Sequence, residues 1–206
     1  MLAVHVERCR ANTDKLSRDG GKGAGKPPAY KPPTFTGPAF ESDTSDKRHI
    51  YEGSCHCGDV TFAVRTTPVQ EQPVNECNCN FCWRVCISCH PPREQSSDKQ
   101  QTARVHIYPK AVDVHIGGFE NVTHYQTSEP RIALFCKTCG CHLFKAARGE
   151  PAKDADGQVV EDALKVLGHD VNIKCVNVRM LHGVNLEDIK VNRYDGRSRL
   201  PTFVVE

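Results

Sequence analysis

Gly53-Ser54-Cys55-His56-Cys57-Gly58-Asp59-Val60-Thr61-Phe62-Ala63-Val64 sets the reading of the chain, because it places a pair of thiols directly before a run of period-two alternation. Side chains at i and i+2 of a regular strand share a face but stand about 7 Å apart, too far for two sulfurs on one metal ion with bonds of about 2.3 Å. The backbone must therefore turn at Cys55 and Cys57, and Gly58, directly after the second thiol, allows the positive φ such a turn commonly needs. Beyond the turn, Asp59 to Val64 alternates as a strand does.

Similar short runs recur at Arg104 to Tyr108, Val112 to Ile116, Val122 to Gln126, Ile132 to Phe135, His142 to Lys145, Val176 to Met180 and Val191 to Tyr194. Seven or eight short strands separated by turns predict a mainly β domain. Only Val159 to Leu167 offers a helical pattern, and it is short.

A second thiol pair, Phe135-Cys136-Lys137-Thr138-Cys139-Gly140, repeats the logic of the first, again with glycine directly after the last thiol. Two such turns supplying two thiolates each complete a closed tetrahedral site. Cys55, Cys57, Cys136 and Cys139 are therefore expected to hold a structural zinc that ties an early strand to a late one, against the plainer reading of four reduced cysteines. Metal binding there would be folding free energy, on the order of 10 kcal/mol or more.

Between the two pairs, Cys77-Asn78-Cys79-Asn80-Phe81-Cys82 packs three thiols into six residues. Three soft ligands can hold one zinc and leave its fourth position open, which separates a catalytic zinc from a structural one. Cys77, Cys79 and Cys82 are the expected catalytic ligands. The alternative is a second closed site whose fourth donor is Cys141 or His142, or a cap from Cys86, Cys89 or His90. Phe81 and Trp83 flank the last thiol and read first as core packing, second as a pocket wall.

Composition narrows the rest. In 206 residues, 27 Lys and Arg stand against 25 Asp and Glu, so charge gives no argument for a nucleic-acid partner or an acidic surface. Met1-Leu2-Ala3-Val4 runs straight into His5, Glu7, Arg8 and Arg10 without the apolar stretch of a secretory signal, and no run approaches the roughly 18 apolar residues of a membrane span. A reducing compartment, the cytoplasm with the nucleus as the other candidate, is expected, and there clustered cysteines more often bind metal than form disulfides.

Residues 1–46 read as a disordered or loosely attached arm, since ten of the nineteen residues from Gly20 to Pro38 are Gly or Pro. The arm is nearly neutral, with seven Lys or Arg and six Asp or Glu, which weakens a nucleic-acid role further. Gly20-Gly21-Lys22-Gly23-Ala24-Gly25-Lys26 nearly spells a phosphate loop. Pro27 stands where that loop needs Ser or Thr, and Pro28 where a helix should begin.

The motifs GSCHCG (53–58), CNCNFC (77–82) and FCKTCG (135–140), in this order, resemble the glutathione-dependent formaldehyde-activating enzyme (GFA) family, which includes centromere-protein-V-like proteins. The resemblance runs from about Gly53 to the C-terminus, where VNVRMLHGVNLEDIKVNRYDGRS (176–198) is similar to the family's closing segment. It implies a small zinc-stabilised β-tent over 47–206, with a structural zinc on the first and third motifs and a catalytic zinc on the middle one. It also implies a carbon–sulfur lyase activity, addition of glutathione to formaldehyde to give S-(hydroxymethyl)glutathione. The competing class, implied by the centromeric relatives, is a non-enzymatic zinc-binding interaction module.

One stretch departs from that pattern. Val85 to Gln101 is polar, proline-interrupted and without period, where family members pass into a strand after a few residues. It reads either as an atypical insert beside the middle motif or as a retained intron, because removing it keeps the frame and joins Trp83-Arg84 to Thr102-Ala103-Arg104. Cys86-Ile87-Ser88-Cys89-His90 matches a haem-attachment pattern, but covalent haem needs export and an axial partner, for which the sequence gives no sign. Cys9 and Cys175 read as incidental or buried thiols, and no general acid or base can be picked from ten scattered histidines.

Overall fold

A computed structural model describes residues 30–41, 47–85, 104–151, 153, 157–158, 165–166 and 169–199. Its strands are β1 (His49–Ser54), β2 (Thr61–Thr66), β3 (Val74–Cys77), β4 (Arg104–Ile107), β5 (Val114–Gly117), β6 (Val122–Ser128), β7 (Arg131–Cys136), β8 (His142–Arg148), β9 (Lys165–Val166), β10 (His169–Asn177) and β11 (Val191–Tyr194). The fold is mainly β, as the alternating runs predict. Two short helices, α1 (Asn80–Val85) and α2 (Gly196–Arg199), accompany them among the described residues.

The strands form two sheets, a three-stranded one in the order β1-β2-β5 and an eight-stranded one in the order β11-β3-β4-β10-β8-β7-β6, with β9 pairing β10. Register sorts the large sheet into two faces, because antiparallel partners share a face and neighbours along a strand alternate. Val176 opposes both Ile107 and Phe144, and Phe144 opposes Leu134, so these apolar side chains line one face. Against it packs the small sheet, with the Phe62 and Phe144 rings meeting edge to face at 4.9 Å. The core lies between the sheets.

On the other face stand Cys77 opposite Arg104, His106 opposite Asn177, and Cys175 opposite Lys145. A bulge adds His142 to them. One step along β7, from Leu134 to Phe135, corresponds to two along β8, from Phe144 to His142. The extra residue re-aims His142, whose ring meets His106 edge-on at 6.1 Å between centroids.

Part of the stretch read as a loosely attached arm, residues 32–41, lies along the outer face of the small sheet. The Thr36 amide donates to Thr61 Oγ1 at 3.1 Å, His115 Nδ1 donates to the Pro38 carbonyl at 2.7 Å, and Phe40 stacks on His115 at 3.9 Å. Thr61, Ala63 and Arg65 point outward by alternation, and this cover buries Thr61 and Ala63 as fully as the core-facing Phe62 and Val64. Residues 1–29 and 42–46 lie outside the described residues. Beside this layer, buried Asp113 accepts from Arg48 Nη1 at 2.7 Å and Arg65 Nε at 3.2 Å, fixing β2 to the turn before β5.

Two expectations are corrected. Lys165 and Val166, within the stretch expected to be helical, pair as a strand with Asp170 and His169; Val159 to Leu164 lie outside the described residues. The run Val176 to Met180 ends as a strand at Asn177, because Val178–Met180 closes into a 3-10 turn capped by the Asn177 side chain on the Arg179 amide. Among the described residues no helix is long and apolar enough to cross a membrane.

Candidate metal centres

Cys55 and Cys57 sit in the turn between β1 and β2, closed by the Cys55 amide on the Val60 carbonyl at 2.9 Å. Gly58 takes φ +85° and Gly140 φ +70°, so both thiol turns use the conformation the sequence predicts. The second turn closes with the Gly140 amide on the Cys136 carbonyl at 3.0 Å. Side-chain bonds hold the turns together: Thr138 Oγ1 donates to Asp59 Oδ2 at 2.6 Å, and Asn121 Nδ2 to the Asp59 carbonyl at 3.2 Å.

That frame brings Cys55, Cys57, Cys136 and Cys139 into one group able to hold a metal ion. The Sγ atoms of Cys55 and Cys57 are 3.5 Å apart and those of Cys57 and Cys136 are 3.6 Å apart. A disulfide spans about 2.05 Å, whereas sulfurs at tetrahedral corners about 2.3 Å from one ion stand about 3.8 Å apart. The spacing fits four thiolates around a metal. Burial pushes the Cys57 and Cys136 thiols above their ordinary range. Burial also works against the Cys139 thiolate, but hydrogen bonds from the Cys141 and Cys57 backbone overcome it and bring that thiol down to about 6.

Cys77, Cys79 and Cys82 form the second group, their sulfurs all within 4.8 Å of one another. Cys77 ends β3, and α1 begins so soon after that the Cys82 amide donates to Cys79 Sγ at 3.4 Å. Hydrogen bonds from Cys77 and Cys82 hold the Cys79 thiol well below the usual range. Lys145 Nζ donates to Cys82 Sγ at 3.0 Å. Burial opposes the Lys145 ammonium, but the Cys82 thiolate beside it more than compensates and the pKa stands above the ordinary lysine value.

The closing segment completes this group. β11 pairs parallel to β3 with Tyr194 opposite Cys77. Asn78 Nδ2 donates to Asp195 Oδ1 at 3.0 Å, and the Arg197 amide donates to Asn78 Oδ1 at 3.0 Å. Gly196 lies so close that a Cβ there would stand 2.8 Å from Cys77 Sγ and 3.0 Å from Cys79 Cβ.

Other residues weighed from sequence fall elsewhere. Among the described residues no fourth Cys, His, Asp or Glu joins the group of Cys77, Cys79 and Cys82. Cys141 packs beside Cys139 instead, and the His142 ring lies against Phe135 at 5.1 Å and Phe81 at 6.3 Å. Cys86, Cys89, His90 and Cys9 lie outside the described residues. Cys175 is buried, and burial pushes its thiol up to about 11. Core packing holds for Phe81, over which the Arg104 guanidinium sits at 4.4 Å. It does not hold for Trp83, which is 48% exposed with Arg197 over its ring at 5.8 Å.

Sequence reasoning missed Arg104, His106, Lys145, Asn78 and Gly196. The signal for the first three is the polar half of the alternation in Arg104 to Ile107 and His142 to Lys145, which reads like an ordinary solvent-facing side. Here that side is buried, Arg104 being 2% exposed and His106 1%. Compared with models of known protein families, the chain matches none.

Proposed function

We propose that the protein is a zinc-dependent carbon–sulfur lyase that adds a thiol such as glutathione to a small aldehyde such as formaldehyde, giving S-(hydroxymethyl)glutathione. Cys55, Cys57, Cys136 and Cys139 hold a structural zinc in this reading, and Cys77, Cys79 and Cys82 a catalytic one. The observation that carries it is the contrast between the two groups, four donors in one and three in the other among the described residues. The order of the three cysteine motifs supports the same assignment.

Zinc bound by three thiolates would make a thiolate available at neutral pH or polarise a carbonyl in its remaining position. The chain's own residues set the conditions for that chemistry. The Lys145 ammonium offsets the negative charge gathered by three thiolates, and half-buried Phe81 packs against the three buried thiols. Holding thiol and aldehyde together removes the entropy cost of their encounter. A sulfur–carbon bond forms, and the proton lost by the thiol ends on the former carbonyl oxygen.

NMR exchange spectroscopy on glutathione and formaldehyde with the zinc-loaded protein tests the reading. Exchange faster than the uncatalysed reaction is expected. No acceleration would favour the non-enzymatic zinc module.

A further inference from the structure

His106 Nε2 and both ring nitrogens of His142 are buried and meet no hydrogen-bond partner among the described residues. The two side chains belong to residues only 1% and 6% exposed. The Phe144 backbone is close enough to His142 to favour its charged form slightly without meeting hydrogen-bond geometry. Buried polar groups in native proteins are almost always satisfied, so three orphaned nitrogens on adjacent rings call for an occupant.

Their position says what kind. β4 and the β8 bulge turn both rings onto the face that carries Cys77, with Phe81 of α1 over His142. Lys145 and Arg104 share that face. Burial, reinforced by these cations, keeps both imidazoles neutral, His106 down at about 3. A neutral imidazole offers one N–H donor and one acceptor. Donors fixed beside cations, away from water, suit an oxygen that gains negative charge during a reaction.

We infer that His106 and His142 form the subsite for the oxygen of the carbonyl substrate, next to the three-thiol group. This rests on the carbon–sulfur lyase reading. As sulfur bonds to the carbonyl carbon, the C=O π pair moves onto oxygen, and an imidazole N–H donates to that oxygen until it takes up the proton the thiol released. The nitrogens orphaned in the free protein gain their partner from the substrate.

Formate, the size of formaldehyde and carrying an oxyanion, is the probe. In the zinc-loaded protein it is expected to shift the imidazole nitrogen resonances of His106 and His142 while leaving those of His49, His124 and His182 in place. Replacing a partnerless ring by an apolar one should not cost stability, so His142→Phe is expected to melt no lower than the parent, keep both metals and lose at least tenfold in glutathione–formaldehyde exchange rate. Resonances unmoved by formate, or a His142→Phe protein with full rate, overturn the inference. Formate shifts in a wild-type protein that does not accelerate exchange would leave the oxygen subsite standing and remove the lyase reading.

Discussion

The Lys145 ammonium lies 3.0 Å from Cys82 Sγ, on the sheet face that carries the three-thiol group. A half-buried ammonium donating to a ligand sulfur makes a charge-assisted bond, which contributes about 1.5–3 kcal/mol. Lys145→Met keeps the stem and removes the charge. The metal on Cys77, Cys79 and Cys82 should then be released at a pH higher by about half a unit, since three protons displace one ion and each pH unit is then worth about 4 kcal/mol. Cobalt substitution followed by thiolate charge-transfer absorption during acid titration measures it; an unchanged release midpoint would remove Lys145 from the centre's electrostatics.

Gly196 gives a steric counterpart. A methyl group 2.8 Å from Cys77 Sγ and 3.0 Å from Cys79 Cβ forces one of the two thiols aside, and overpacking of this kind costs about 1–3 kcal/mol. Gly196→Ala should weaken metal binding at the three-thiol group by tenfold or more while the Cys55, Cys57, Cys136 and Cys139 group keeps its ion. Competition with a chromophoric chelator separates the two sites. Equal weakening at both would mean general destabilisation.

Buried His106 makes stability depend on pH with a definite sign. Its ring is held at about 3 in the folded protein, below the ordinary 6.5. Between those values the unfolded chain binds a proton that the folded chain does not, so the stabilisation is complete above pH 6.5 and is lost as pH falls toward 3. The contribution is about 1.4 kcal/mol per pH unit. Urea unfolding of wild type and His106→Phe from about pH 6 to 4.5 should show the wild type losing stability faster by that slope, with metal loss common to both. Parallel curves would contradict the burial argument.

How far the sequence carries can be judged from single residues. Gly58 and Gly140 announced their turns because a thiol pair on one ion is impossible on a straight strand and glycine is the residue that permits the bend. Most alternating strands were equally plain. β1 and β3 were not, since His49–Ser54 and Val74–Cys77 bury side chains without a regular period. His142 owes its orientation to a bulge, and Gly196 its role to a parallel pairing across more than a hundred residues, neither of which leaves a local mark. Alternation also cannot tell a solvent face from a buried polar one, so Arg104, His106 and Lys145 looked ordinary.

The segment Val85–Gln101 yields a separate expectation. The Arg104 guanidinium stacks on Phe81, so the chain leaves α1 and re-enters β4 at neighbouring places, and connections of about 2–6 residues are common between adjacent elements. A protein lacking 85–101 should fold and bind both metals with wild-type stoichiometry, as a retained intron requires. Loss of the three-thiol metal in that variant, or transcripts that uniformly carry all 17 codons, would make the segment part of the working protein.

The most direct test of the two-centre account is zinc counting on the purified protein with and without glutathione. The account expects two ions per chain, one resisting a competing chelator and lost only on unfolding, the other exchanging readily and protected by glutathione. Two ions that are equally inert, and equally indifferent to glutathione, would contradict an open three-thiolate centre at Cys77, Cys79 and Cys82.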